Sequence, residues 1–280
     1  SSYNSGALTV NQKALTVDSI AYSNKTYDGD AVAEVTLSVS GTVGDETLSY
    51  TPASTFASRN VGTQTVTVDT IAIADGTGDA DNYSITTGQT GTATISQLNS
   101  VAWTGSGGNS FWSNAANWAG SAIPDASNVG IVNIGSADTV TFNADSVGSM
   151  NSVINNSGAL TLNTDSSYTL SSQISGTGSI NKEGSGTFTL SSVENNYSGD
   201  TTISAGTLQI NGLLGQGNYA ADINNANASN LKLNTAATQT LSGNLSGTGD
   251  LIKAGSNSLI ITQANSGFSG NVAINNGLIQ

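Results

Sequence analysis

The chain of 280 residues offers few side chains that can do chemistry. It has no histidine and no cysteine. That removes the commonest general base, the commonest metal ligand, the thiol nucleophile and any zinc–thiolate site. Carboxylates remain. Beyond residue 128 they are Asp138, Asp145, Asp165, Glu183, Glu194, Asp200, Asp222 and Asp250. They are scattered singly along the chain, and none is expected to stack on another one structural turn apart. Glycoside hydrolysis needs two carboxyls flanking one bond. A lyase needs a basic partner, and this half of the chain has only Lys182, Lys232 and Lys253. The residues therefore read as non-enzymatic.

The densest acidic group is "DTIAIADGTGDADNY", with Asp69, Asp75, Asp79 and Asp81. Oxygen ligands on a Gly-bearing loop suit calcium, which makes Asp75, Asp79 and Asp81 the metal candidates. The spacing lacks the calcium-loop pattern, and Asp and Gly are ordinary turn formers, so the turn reading is preferred. No cofactor is expected, with calcium as the alternative. Tyr27, Asp28 and Gly29 receive the same treatment. They read as a tight turn, with Gly29 at positive φ and Asp28 bonding the local backbone.

All three tryptophans, Trp103, Trp112 and Trp118, fall in "VAWTGSGGNSFWSNAANWAG" together with Phe111. Aromatic rings on polar loops stack on sugars. Clustered rings also close the end of a core, and an open stack of repeats needs such a cap. The cap is the preferred reading and a glycan contact the alternative. A net charge of −13 leaves no basic patch for nucleic acid or an anionic membrane.

The elements that must position these residues are short strands. Only 9% of residues are charged and 36% are hydrophobic. The rest is largely Ser, Thr, Asn and Gly, a composition that suits pleated strands joined by turns. "AVAEVTLSV" places Ala33, Val35, Leu37 and Val39 on one face. "TQTVTVDTIAI" alternates through Val66 and Val68, then shifts phase before Ile71, as a bulge does. No helix is expected, and "PASTFAS" reads as at most one turn. No apolar run approaches the roughly 20 residues of a membrane span.

An internal repeat sets the architecture of the second half. Residues 159–209 overlie 230–280 without a gap at a shift of 71. Leu160, Gly176, Lys182, Gly184 and Gln209 meet Leu231, Gly247, Lys253, Gly255 and Gln280. Apolar positions swap conservatively, as in Phe188/Leu259 and Tyr197/Phe268. Strands this short need neighbours above and below, which a parallel β-solenoid supplies. The 71-residue unit is read as about three turns of roughly 20–25 residues. Repeat-equivalent Lys182 and Lys253 suit a structural role better than a unique active site. Asn-rich turns are expected to form amide ladders.

"KTYDGD" (25–30), "ASTFASRNVGTQTVTV" (53–68) and "GDADNYSI" (78–85) resemble the YDG-type repeat domain of filamentous-haemagglutinin-like exoproteins. "GTGSINKEGSGTFTLSSVENNYSGDTTISAGTLQ" (176–209) resembles the autotransporter-associated β-strand repeat, and 247–280 resembles a second copy. The resemblance implies an exported surface protein of a Gram-negative bacterium, extracellular or at the cell surface, using two-partner or autotransporter secretion.

The expected fold is all-β and elongated. A small YDG-type β-domain, sandwich- or grasp-like, precedes a right-handed parallel β-helix. The expected limits are 1–12 for the tail of a preceding YDG-type module, 13–98 for the YDG-type domain, 99–128 for a Trp-rich junction or cap, and 129–280 for the solenoid. The first solenoid strand is placed near Gly130. "SSYNSGALTV" and "INNGLIQ" read as interior to a longer chain. The expected function is a structural or adhesive stalk in cell adhesion or biofilm matrix. A glycan-binding module and a self-assembling filament subunit are the alternatives. Expected partners are a polysaccharide or cell-surface ligand, neighbouring modules, copies of itself, and the outer-membrane transporter during export.

Overall fold

A computed structural model describes residues 10–147 and 150–280. Most of the expected tail, 1–9, lies outside them. The chain divides into two compact units, Ser1–Ser96 and Gln97–Gln280.

The first unit holds a five-stranded sheet in the order Lys25–Thr26, Thr90–Ser96, Gly62–Asp75, Leu48–Phe56, Val32–Ala33. Its first two strands run parallel and the others antiparallel. A separate antiparallel pair joins Thr16–Tyr22 to Val35–Ser40. Alternation decides which side chains are buried: Val66, Val68, Ala93, Ile95 and Phe56 form the core. The phase shift before Ile71 is a bulge. Ala53 pairs with Thr70 and Ser54 with Val68, so Asp69 is the extra residue. "PASTFAS" is corrected: Pro52–Phe56 belongs to strand Leu48–Phe56. Proline is tolerated there because that strand's second neighbour, Val32–Ala33, pairs only with Thr55 and Ser54, leaving an open edge at Pro52.

The second unit is a parallel β-solenoid of about seven turns. One six-stranded wall runs from Thr139–Asn143 to Leu245–Ser246, and another from Ser167–Leu170 to Val272–Ile274. The remaining side is built by two four-stranded sheets, one beginning at Leu98–Ala102 and one at Asn218–Tyr219. Cross-turn partners are 20 to 23 residues apart, as in Asp165–Ser185 and Thr207–Asn230. Val140, Leu160, Ile180, Thr201, Ile223 and Leu245 stack directly on one another as one inner row. Burying such a row contributes about 25 cal/mol per Å² of apolar surface. Turn glycines allow the turns to approach. A Cβ on Gly176 (φ 100°) would lie 2.1 Å from the Asn156 carbonyl oxygen, and one on Gly247 (φ 98°) 2.0 Å from that of Asn225. Among the described residues, helix is limited to single 3₁₀ turns.

Parallel pairing begins earlier than the strand near Gly130. Leu98–Ala102 already pairs with Val129–Ile134, so the tryptophan stretch belongs to the solenoid's first turn. That turn is long because it contains the whole loop from 103 to 128. The 71-residue repeat is also not a whole number of turns. It carries strand Ser179–Glu183 of the first six-stranded wall onto Asp250–Lys253 of the second.

Candidate functional site

The tryptophan loop is organised by a buried asparagine. Asn117 accepts from the Gly107 N–H at 2.8 Å and donates to the carbonyls of Asn109 and Phe111 at 3.0 and 3.1 Å. It thereby gathers the polar "GSGGNS" loop, where no strand-then-helix context makes a phosphate site. Trp112 donates its backbone N–H to Thr141, and Thr141 donates to Ser110, so 110–112 adds beneath strand Thr139–Asn143. The Trp112 indole N–H meets the Pro124 carbonyl at 2.9 Å, and that of Trp118 meets the Trp112 carbonyl at 2.7 Å. Trp112 is 0% exposed, while Trp103 and Trp118 are buried. The rings meet edge to face, at centroid distances of 5.0 Å for Trp103–Trp118, 4.7 Å for Trp112–Trp118 and 5.0 Å for Trp112–Phe142. Each such contact contributes about 0.5–1.5 kcal/mol beyond burial. Phe142 continues the stack to Tyr168 and Phe188 inside the solenoid. Phe111 stands apart, 45% exposed.

In the first unit Tyr27 is buried, and its hydroxyl accepts from Arg59 at 2.6 Å. Gly29 has φ 92°, and Asp28 accepts the Asp30 N–H at 3.2 Å. Lys25 pairs with Asp28 and Asp30, each at 2.7 Å. The ammonium holds the Asp30 carboxyl below its ordinary value. The calcium candidates do not converge. Asp75 accepts from the Ala80 N–H at 2.8 Å, and Asp79 accepts from the Asp81 N–H at 3.0 Å. Among the described residues no group of three acidic side chains is placed to hold a metal.

The reading of singly scattered solenoid acids is corrected. Asp145 and Asp165 stand one turn apart, as do Asp200 and Asp222. Their separations of 20 and 22 residues are one turn length, so the spacing carried the signal. Each of these carboxylates accepts a backbone N–H from the following turn. The pairs are Asp145–Asp165 at 3.0 Å, Asp165–Ser185 at 2.9 Å, Asp200–Asp222 at 3.0 Å and Asp222–Asn244 at 2.8 Å. At the corners, where wall ladders lapse, acidic side chains thus continue the hydrogen bonding between turns. Hydrogen bonds from the Ser166 hydroxyl, the Asp165 N–H and the Thr164 hydroxyl hold Asp145 below the ordinary carboxylate range. Amide-to-amide contacts also occur, at Asn155–Asn133 and Asn234–Asn211, as single pairs.

Asp200 and Asp222 also line a cleft of about 490 Å³ beside Tyr197 and Tyr219. The two phenols share the Thr201 hydroxyl, at 3.0 and 2.7 Å. Burial pushes the Tyr197 hydroxyl up to about 12 and raises Tyr219 as well, so both are protonated near neutrality. Lys182 and Lys253 point inward and are fully buried. Lys182 Nζ donates to the carbonyls of Glu183, Gly184 and Ala205 at 2.5, 2.8 and 3.2 Å. Lys253 Nζ donates to those of Gly255 and Asn276. Burial pushes both ammonium groups down. The repeat had marked these lysines, but nothing in it had shown their acceptors.

A β-domain followed by a parallel solenoid whose polar groups tie turn to turn defines an all-β solenoid protein. Residues 11–93 match the YDG domain, and residues 180–210 and 251–280 match the passenger-associated-transport-repeat. No curated protein and no solved structure matches the chain. The chain thus carries a YDG domain and two passenger-associated-transport-repeats, the repeats of autotransporter passengers. Such repeats mark an exported, cell-surface segment of a Gram-negative bacterium, associated with an outer-membrane transporter domain. No helix among the described residues is long and apolar enough to cross a membrane.

Proposed function

We propose that this segment is a non-catalytic, structural part of the passenger that supports adhesion or a biofilm matrix. The observation that carries the reading is the use of the charged groups. Asp145, Asp165, Asp200, Asp222, Lys182 and Lys253 each hydrogen-bond backbone, and the acids hold the following turn. Groups committed to the ladder make a stack that resists unravelling and take these six side chains out of acid–base work. In this reading the YDG-type module runs from 13 to 96, and the cap at 103–128 closes the first turn of a repeat-bearing solenoid that starts with strand Leu98–Ala102. Tyr27, Asp28 and Gly29 serve as a turn, as do Asp75, Asp79 and Asp81. Trp103, Trp112 and Trp118 close the core of the first turn rather than stack on sugar. Trp112→Ala is expected to destabilise the solenoid by about 3–5 kcal/mol, read from urea unfolding. Unchanged stability would refute the cap.

A further inference from the structure

A cleft of about 610 Å³ lies in the first unit between strands Val35–Ser40 and Leu48–Phe56. The chain opens it by changing partners. Val32 and Ala33 pair with Thr55 and Ser54, and two residues later Val35 pairs with Tyr22 instead. A wedge follows, with its apex at Ser54.

Three features at that apex are unusual together. Asp69, the bulged residue, sits opposite the Ala53–Ser54 step and lines the cleft. Bulges re-aim side chains in this way beside binding sites. Asp69 is held by the Thr55 hydroxyl at 3.0 Å. Ser54 also lines the cleft, is only 4% exposed, and its hydroxyl has no hydrogen-bond partner. A buried hydroxyl left unmatched is costly, and native folds seldom keep one without a use.

The lining selects the ligand. Ser23, Thr36, Ser54 and Thr55 offer hydroxyls, Glu34 and Asp69 offer carboxylates, and no basic side chain contributes. An anion is therefore rejected. An added peptide strand is blocked by Pro52. Phe56 donates its N–H to Ala31 on the open side, so alternation turns the missing N–H of Pro52 to that same side. What fits is a neutral ligand rich in hydroxyls with an apolar ring face. The hydroxyls donate to the carboxylates, and the ring face packs on Val32 and Pro52, both of which line the cleft.

We propose that this cleft is a saccharide-binding site, in which Asp69 and Ser54 hold ring hydroxyls of a neutral glycan. It deepens the adhesive reading and rests on it only for its purpose at the cell surface. Isothermal titration of the whole chain with cellohexaose, maltohexaose, mannohexaose and N-acetylchitohexaose is the test. At least one is expected to bind, and Asp69→Asn to weaken it at least tenfold. Ser54→Ala is expected to weaken binding while the melting temperature holds or rises, because the variant removes an unmatched hydroxyl. A purely structural serine would not separate the two readouts. Phe111→Ala is expected to leave the affinity unchanged. The site is overturned if none of the four binds, if binding survives both cleft variants, or if Phe111→Ala abolishes it. Binding of a (Thr-Val)₃ peptide instead of sugar would also overturn it, in favour of strand addition. Attachment of cells displaying the passenger reads the adhesive role separately.

Discussion

Strand Thr187–Leu190 lies in the second six-stranded wall, whereas its equivalent 71 residues on, Ser258–Ile261, lies in the four-stranded sheet of the third side. Thr201–Ile203 and Val272–Ile274 are displaced the same way, from the first wall to the second. The two transport repeats are thus offset by three turns plus one wall. Yet the lysine contacts are reproduced. Lys182 reaches Gly184 and Ala205, and Lys253 reaches the equivalent Gly255 and Asn276. The repeat therefore encodes a strand, a turn and a lysine that braces the turn above. It does not encode a particular side of the solenoid. Any wall accepts it, because every wall offers the same parallel ladder and an apolar interior.

Both copies bury the equivalent apolar residue. Phe188 and Leu259 are each 0% exposed although their strands lie on different sides. The largest expected effect tests this equivalence. Phe188→Ala should cost about 3–5 kcal/mol and Leu259→Ala about 2–5 kcal/mol, as truncation in a packed core does. Urea unfolding of both variants checks the pair. A loss at only one position would mean that the sides of the solenoid are not interchangeable.

A smaller effect probes what the copies share. Lys182→Met keeps the buried stem and removes the donor, so its carbonyls lose their partner. A loss of about 1–3 kcal/mol is expected. Lys253→Met should give a smaller loss, because Lys253 braces fewer carbonyls. Single and double variants measured by thermal melting would show whether the braces act independently. A neutral Lys182→Met would remove the lysine from the definition of the repeat.

Much of this was legible beforehand. The ungapped 71-residue match exposed the equivalence of Lys182 and Lys253, and alternation exposed the bulge before Ile71. The wall shift was not legible. It depends on turn lengths that vary between 20 and 23 residues, and each extra residue sits in a corner that leaves no periodic mark. The strand through Pro52 was missed because proline marks a break unless the sheet edge is known. The cleft at Ser54 was missed for a related reason. An unmatched hydroxyl and an opening between strands are properties of pairing, which no single stretch displays. The tryptophans were legible as a cluster, but not as the solenoid's first turn. That required knowing that Leu98 pairs with Val129.

The smallest expected effect separates the two kinds of tie between turns, lysine to carbonyl and carboxylate to N–H. The Asp145 carboxyl is held below its ordinary value of 3.8 by hydrogen bonds from the Ser166 hydroxyl, the Asp165 N–H and the Thr164 hydroxyl, which are stronger to the ionised form. A carboxylate with a depressed folded pKa stabilises the fold above its unfolded pKa. That contribution is lost as pH falls through the folded value. The lysines behave oppositely in this range, staying charged and braced throughout the acid limb. Melting temperature should therefore hold down to about pH 4 and then decline with the carboxylates alone. Asp145→Asn, which can keep one acceptor oxygen toward the Asp165 N–H, should make that decline shallower without altering the neutral plateau much. If the decline is as steep in the variant, the corner acids are surface charges rather than ties. The ties between turns would then rest on the lysines alone.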